Sequence, residues 1–291
     1  MIEIKNLTKC FGQVKAVDDL TITVKEGING LVGENGAGKS TLLRLIADVY
    51  QPNSGSIIID GLSHKDVTVK NNLFFLSDNP YTSKSSSIMD TFKYYASLFP
   101  LDEDVFRDIM KCLKLPMDRK VGTYSKGMKR QFLLAIALSS KAKYLLLDEA
   151  FDGLDPLVLD TIRQEIIKRA DQKTFIFSSH NISTLERLCD SFILLSKGKC
   201  TSNKDAEHIG ENFVKYQILV SDEISKESLE RLDLKVLSFK KLGSIANVVF
   251  YDDIDEGIIN KNFKVVLLER IPIDPDELIA LEMLSARKEN N

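Results

Sequence analysis

The chain has little that would tie it to a membrane span, an oxidising compartment or a nucleic acid. Its apolar runs are short: even Phe132 to Leu138 falls well below the roughly twenty residues that a helix needs to cross a bilayer. The start, Met1-Ile2-Glu3-Ile4-Lys5, lacks the apolar segment of a signal peptide, and these absences together predict a cytoplasmic protein. The four cysteines, Cys10, Cys112, Cys189 and Cys200, show neither C-x-x-C spacing nor a neighbouring histidine pattern. Reduced, mostly buried thiols are therefore expected, with no disulfide and no zinc site. An excess of charge of one sign is also missing. With 39 Lys and Arg against 42 Asp and Glu, nothing global points to a nucleic-acid partner or an acidic tail. Internal repeats are absent, and so are low-complexity tracts apart from the serine-rich stretch Ser83 to Ser87.

What is present begins with length, since 291 residues can bury a substantial core and allow one large domain plus a small one. The chain is organised around Gly33-Glu34-Asn35-Gly36-Ala37-Gly38-Lys39-Ser40-Thr41, which satisfies the phosphate-binding pattern G-x-x-x-x-G-K-[ST]. Glycines let the backbone adopt positive φ and bring successive N–H groups up to an anion. Lys39 supplies a mobile positive charge, and the Ser40 hydroxyl suits a Mg²⁺ ion bridging the last two phosphates of a nucleotide triphosphate. The helix that follows points its positive end at the same place. Ile28 to Val32 reads as a strand entering the loop, and Thr41 to Ala47 as an apolar helix leaving it.

Around this loop, Ile2 and Ile4, then Leu20, Ile22 and Val24, alternate with polar residues as in strands with one buried face. Phe11, on the connection between them, either stacks on a purine ring or plugs the core. Ile57 to Ile59 reads as a short strand before a turn, and Asn72 to Ser77 as another. Beyond Pro80, Ile88 to Leu98 and Val105 to Leu115 are amphipathic, with Phe92, Tyr95 and Phe99 on one face, and predict a helical insertion whose aromatics pack internally or meet a partner. Ser125 is a good N-cap for the apolar run Phe132 to Leu138. With Gly127 it also makes an anion site at a helix N-terminus conceivable, and local sequence does not separate the two uses.

Lys143 to Leu147 is a buried strand ending in Asp148 and Glu149. In an open α/β sheet such a strand places its last residues at the ligand-binding edge, where Asp148 can hold Mg²⁺, directly or through water, and Glu149 can orient or deprotonate the attacking water. Gly153 to Pro156 is a turn in which Asp155 starts the helix over 157–169. His180 directly follows the strand Lys173 to Ser179 and either plays a structural part or hydrogen-bonds a terminal phosphate. Ser191 to Cys200 reads as a last strand and hairpin. From about Asp205 the strands 214–220, 234–239, 247–251 and 263–268 interleave with helices over 225–232 and 274–284, an α+β appendage without a chemical motif.

The ordered set of phosphate loop, Ser125-Lys126-Gly127-Met128, Leu145 to Glu149, Gly153-Leu154-Asp155 and His180 resembles the ATP-binding subunits of ABC transporters over about residues 1–200. The wording Tyr124 to Lys129 is similar to the bacterial export, ABC-2-like type. This resemblance implies a P-loop NTPase core of the RecA-like α/β class, with an N-terminal antiparallel β subdomain and a helical subdomain at about 80–140. That cassette, 1–204, would be followed by a small α+β domain, 205–291. It implies two cofactors, ATP and Mg²⁺, with two such subunits pairing head to tail so that Ser125 and Gly127 reach the nucleotide held by the partner. Asp155 would then face the partner subunit, His180 would contact the γ-phosphate, and Phe11 would stack on adenine. Separately encoded transmembrane permease subunits would dock on the helical insertion, placing the chain at the inner face of the membrane. The chain departs from the family pattern where glutamine is usual, offering Asp78 as a shorter, anionic Mg²⁺ contact through water, and at Lys126, which replaces a glycine. Two other functions compete with a transport motor: a soluble ABC-type ATPase without a membrane partner, and a poorly hydrolysing member of a heterodimer.

Overall fold

The computed structural model describes residues 1–171, 173–208, 211, 213–274, 277–278, 280–282 and 284–285. The alternation near the start folds as an antiparallel pair, β1 (Ile2–Phe11) and β2 (Val14–Val24), with Ile2 opposite Val24 and Ile4 opposite Ile22. β3 (Gly27–Val32) leads through the phosphate loop into α1 (Lys39–Ile46). β4 (Ser54–Ile59) then pairs with the free edge of β1, and β5 (Leu62–Ser63) closes a four-stranded sheet in the order β2-β1-β4-β5. Ile2, Ile4, Leu20, Ile22, Ile57 and Ile59 all point from that sheet into a core shared with α1. Full burial of one such side chain favours the fold by about 1.5–3 kcal/mol.

α2 (Val67–Asn71) and β6 (Leu73–Leu76) precede the helical insertion, which holds α3 (Ile88–Ala96), α4 (Glu103–Cys112) and α5 (Lys126–Leu138). Phe92 stacks on Phe106 at 4.4 Å and Phe106 meets Phe132 edge-on at 6.0 Å, so the apolar face of these helices is used internally. Tyr81 and Tyr94, by contrast, stay exposed. The chain re-enters the core through β7 (Tyr144–Leu147), α6 (Pro156–Ala170), β8 (Thr174–Ser179), β9 (Ser191–Ser196) and β10 (Lys199–Asp205). The resulting six-stranded sheet has the order β10-β9-β3-β8-β7-β6, parallel except for β10. The carboxyl ends of β3, β6, β7 and β8 share one edge, and this places the phosphate loop, Asp78, Asp148–Glu149 and His180 together.

The chain divides after Ala206, two residues beyond the expected boundary and just past the end of β10. The second unit contains β11 (Val214–Val220), α7 (Lys226–Glu230), β12 (Val236–Leu242), β13 (Ile245–Phe250), α8 (Glu256–Asn262) and β14 (Val265–Ile271). Its all-antiparallel order β12-β13-β11-β14 is the ferredoxin-like βαββαβ arrangement. α8 has no counterpart in the sequence reading, because Gly257, Asn260 and Asn262 depress helix propensity and only the Asp255 cap and buried Ile259 support it. β12 runs on to Leu242 because the two-residue loop Gly243-Ser244 pairs it with Ile245. The helix expected over 274–284 lies partly outside the described residues. The cysteines require a correction: only Cys189 is fully buried, Cys10 and Cys200 are partly so, and Cys112, on the outer side of α4, is exposed.

Candidate nucleotide site

Backbone geometry shapes the phosphate loop. Gly38 caps α1 at φ 107°, and a Cβ there would lie 2.3 Å from the Ala16 carbonyl oxygen. Gly36, at φ 82°, would meet nothing within 4 Å and borders open space. The loop residues 35–41, with Ala16, Asp78 and Glu149, line a cleft of about 380 Å³, within the usual range for a small-molecule site.

Lys39 begins α1 and is buried, and its Nζ donates to the carbonyl oxygens of Gly33 (2.7 Å) and Glu34 (3.3 Å). Glu149 Oε1 lies 3.3 Å from the same nitrogen. Ser40 Oγ donates to Asp148 Oδ1 at 3.0 Å, and Ser178 Oγ, from β8, donates to that oxygen at 2.6 Å. Asp148 is completely buried, and its Oδ2 has no partner. Burial pushes this carboxyl up from its ordinary range, and the two hydroxyl hydrogen bonds oppose that rise. A buried carboxylate with one unpaired oxygen beside a serine hydroxyl is a donor set that fits a hard divalent cation such as Mg²⁺.

Glu149 turns the other way. Its φ of 46° is left-handed, uncommon for a non-glycine residue, and its N–H donates to Ser178 Oγ at 2.8 Å. Asp148 therefore points into the core while Glu149 crosses the cleft edge, between Lys39 and His180. His180 Nδ1 lies 3.1 Å from Glu149 Oε2, a bond in which the ring nitrogen carries the proton. Asp152 joins them, so that Glu149, Asp152 and His180 each bring a ligand atom within 4.8 Å of the others.

The remaining residues singled out from the sequence are distributed differently. Asp78 lies in the cleft wall, but its carboxylate accepts from Arg44 at 2.9 Å and its carbonyl from Arg130 at 3.2 Å. Phe11 ends β1, is 46 % exposed and meets Tyr50 edge-on at 5.4 Å, which rules out the core-plug alternative. Ser125 caps α5 by accepting from the Met128 N–H at 3.1 Å. A Cβ on Gly127 would sit 3.5 Å from the Gly153 carbonyl, and Asp155 Oδ1 caps α6 through the Leu157 N–H at 2.9 Å. Ser125, Gly127 and Asp155 thus belong to neighbouring turns outside the residues that line the cleft. Sequence reasoning missed Ser178, Arg44 and Arg130. A serine pair closing an otherwise apolar strand was the available signal for Ser178.

Similarities to known proteins fit this geometry. The family profile described as ABC transporter matches residues 17–152, from β2 through the phosphate loop to Glu149 and Asp152. The ABC transporter ATP-binding protein NatA of Bacillus subtilis (strain 168) is 33 % identical over 199 residues, covering 64 % of this chain and 80 % of NatA. The bacitracin transport ATP-binding protein BcrA of Bacillus licheniformis is 30 % identical over 234 residues, 74 % of this chain and 73 % of BcrA. A solved ATP-binding subunit of an ABC transporter superposes with a TM-score of 0.65 at 25 % identity, over 72 % of this chain and 92 % of that one. With its phosphate loop, its buried Asp148 and its Glu149–His180 pair on one sheet edge, the chain belongs to the ATP-binding, ATP-hydrolysing subunits of ABC transporters.

Proposed function

We propose that the chain drives a bacterial exporter, working as a pair of nucleotide-binding subunits beneath separately encoded membrane-spanning subunits. No described helix is long and apolar enough to cross a membrane, which supports a peripheral position on the cytoplasmic face. Support for export comes from the Tyr124 to Lys129 wording and from likeness to a relative named for bacitracin transport. In this reading the loop N–H groups and Lys39 bind the phosphates, Phe11 stacks on the adenine, and Ser40 and Asp148 hold Mg²⁺, with Asp78 beside them. Bound Mg²⁺ supplies charge neutralisation across the terminal phosphates. Glu149 accepts the proton of the attacking water, and His180 orients Glu149 and hydrogen-bonds the γ-phosphate. Ser125, Gly127 and Asp155 act across the pair, on the nucleotide and turn of the partner subunit.

The observation that carries the proposal is the Glu149 carboxylate held between Lys39 and His180 at 3.3 and 3.1 Å. Steady-state ATP hydrolysis by the parent chain and Glu149→Gln, with size-exclusion of both in Mg²⁺ and ATP, tests it. The variant should bind ATP, lose turnover by at least about a hundredfold, and elute as an ATP-dependent dimer. Retained turnover in Glu149→Gln would remove the carboxylate from its assigned role.

A further inference from the structure

The two faces of the C-terminal sheet differ. One is covered by α7 and α8 over Tyr216, Ile218, Val248 and Phe250. On the other, Leu237 and Val249 pack with Phe213 and Leu281 at one end only. At the opposite end, strand register sets four aliphatic residues in one row across all four strands. Leu242 pairs with Ile245, Ile245 with Leu219, and Leu219 with Leu267. Leu242 is 75 % exposed, Leu267 40 % and Ile245 36 %. Two residues along each strand, the next row on this face reads Lys240, Asn247, Gln217, Glu269. On this face the row thus ends in a lysine on one edge strand and a glutamate on the other, and among the described residues neither Lys240 nor Glu269 has an ion-pair partner in its own chain.

We propose that this face docks on the same face of a second copy of the chain, about a two-fold axis parallel to the strands. Such an axis turns the sheet over and lays β12 of one copy on β14 of the other. Lys240 then faces Glu269 of the second copy, and the reciprocal pair forms at the other side. The aliphatic rows meet in the same operation, Leu242 on Leu267 and Ile245 on Leu219. An axis running across the strands would instead stack β12 on β12 and β14 on β14, bringing like charges together. The surface is self-complementary in shape class and charge under one symmetry only, as an isologous contact requires. Four strands at about 4.8 Å spacing make the row about 15–20 Å wide, so the buried area falls below the standard interface size and the contact is weak by itself. It gains strength where the two chains are already tethered, as the proposed nucleotide-bound pair would be.

Cysteine trapping without nucleotide tests the contact separately from ATP-driven pairing. In a Cys10→Ser/Cys112→Ser background, the full-length Leu242→Cys/Leu267→Cys variant is treated with a thiol oxidant. The two positions lie on opposite edge strands, too far apart to join within one chain. The double variant should give a covalent dimer, while each single variant gives at least about fivefold less. Adding Lys240→Glu should lower the yield by about fivefold, and adding Glu269→Lys to that should restore it. These four side chains are solvent-exposed, so the substitutions leave the folded core intact, which far-UV circular dichroism checks. No covalent dimer from the double variant, equal yields from the singles, or no recovery on charge exchange would overturn the proposal.

Discussion

Ser178→Ala removes one hydroxyl that joins the two acids of the site. In the parent, that hydroxyl donates to buried Asp148 at 2.6 Å and accepts from the Glu149 N–H at 2.8 Å. A hydrogen bond to a charged group contributes about 1.5–3 kcal/mol and a neutral one about 1 kcal/mol, so the loss comes to about 3 kcal/mol. For a folding unit of this size that lowers Tm by about 6–12 °C, which scanning calorimetry resolves. The kinetic effect is separate. Glu149 keeps a left-handed backbone at φ 46°, and its N–H bond to Ser178 opposes relaxation of that turn. A carboxylate displaced by about 1 Å costs on the order of a hundredfold in rate, so kcat for ATP should fall by about ten- to a hundredfold with KM little changed. Ser178→Thr retains the hydroxyl and should recover kcat even where its methyl group lowers Tm. If Ser178→Ala matches the parent in kcat and lies within about 0.5 kcal/mol of it in stability, Ser178 does not position Glu149.

Lys173 donates to the Ser140 carbonyl, and burial, reinforced by nearby Arg169, lowers its pKa to about 8. The folded chain therefore gives up this proton before the unfolded chain does, and stability should rise as pH climbs from about 8 to about 10.5. Allowing for partial exposure, Lys173→Met should add about 2 kcal/mol at pH 7 and flatten that rise, as measured by urea denaturation at pH 7.5 and 9.5. Gly38→Ala should destabilise the cassette and weaken ATP binding by more than tenfold, because its Cβ would press on the Ala16 carbonyl. Gly36→Ala, with open space around it, should lower Tm less, and equal Tm losses in the two variants would contradict the packing account.

The phosphate loop and the two acids were legible because each chemical task admits few residue types and each lies at the end of a recognisable strand, whereas His180 stood open between a structural part and a phosphate contact until the family resemblance gave it a role. Contacts between distant segments were not legible. Ser178 meets Asp148 only because β7 and β8 are adjacent, and Arg44 takes Asp78 only because α1 runs beside the end of β6. In the second unit, β11 was readable to the residue from the β-branched and aromatic residues of Val214 to Val220, whereas α8 was hidden by glycine and asparagine that only tertiary packing of Ile259 overrides. Phe11 shows the limit for single aromatics: its type suits stacking and core filling equally, and only its exposed place beside Tyr50 separates them.

The company that Lys39 keeps has one more consequence. Its ammonium already sits among oxygens from Gly33, Glu34 and Glu149, so it is never a bare charge awaiting a guest. A phosphate taken up beside Lys39 competes with the Glu149 carboxylate for the same ammonium, which makes binding an exchange of one anionic partner for another. Such an exchange reduces the net gain from the phosphate contact by what the carboxylate gives up. It also acts as an interlock: the carboxylate assigned to the chemistry is engaged by the lysine until a phosphate relieves it.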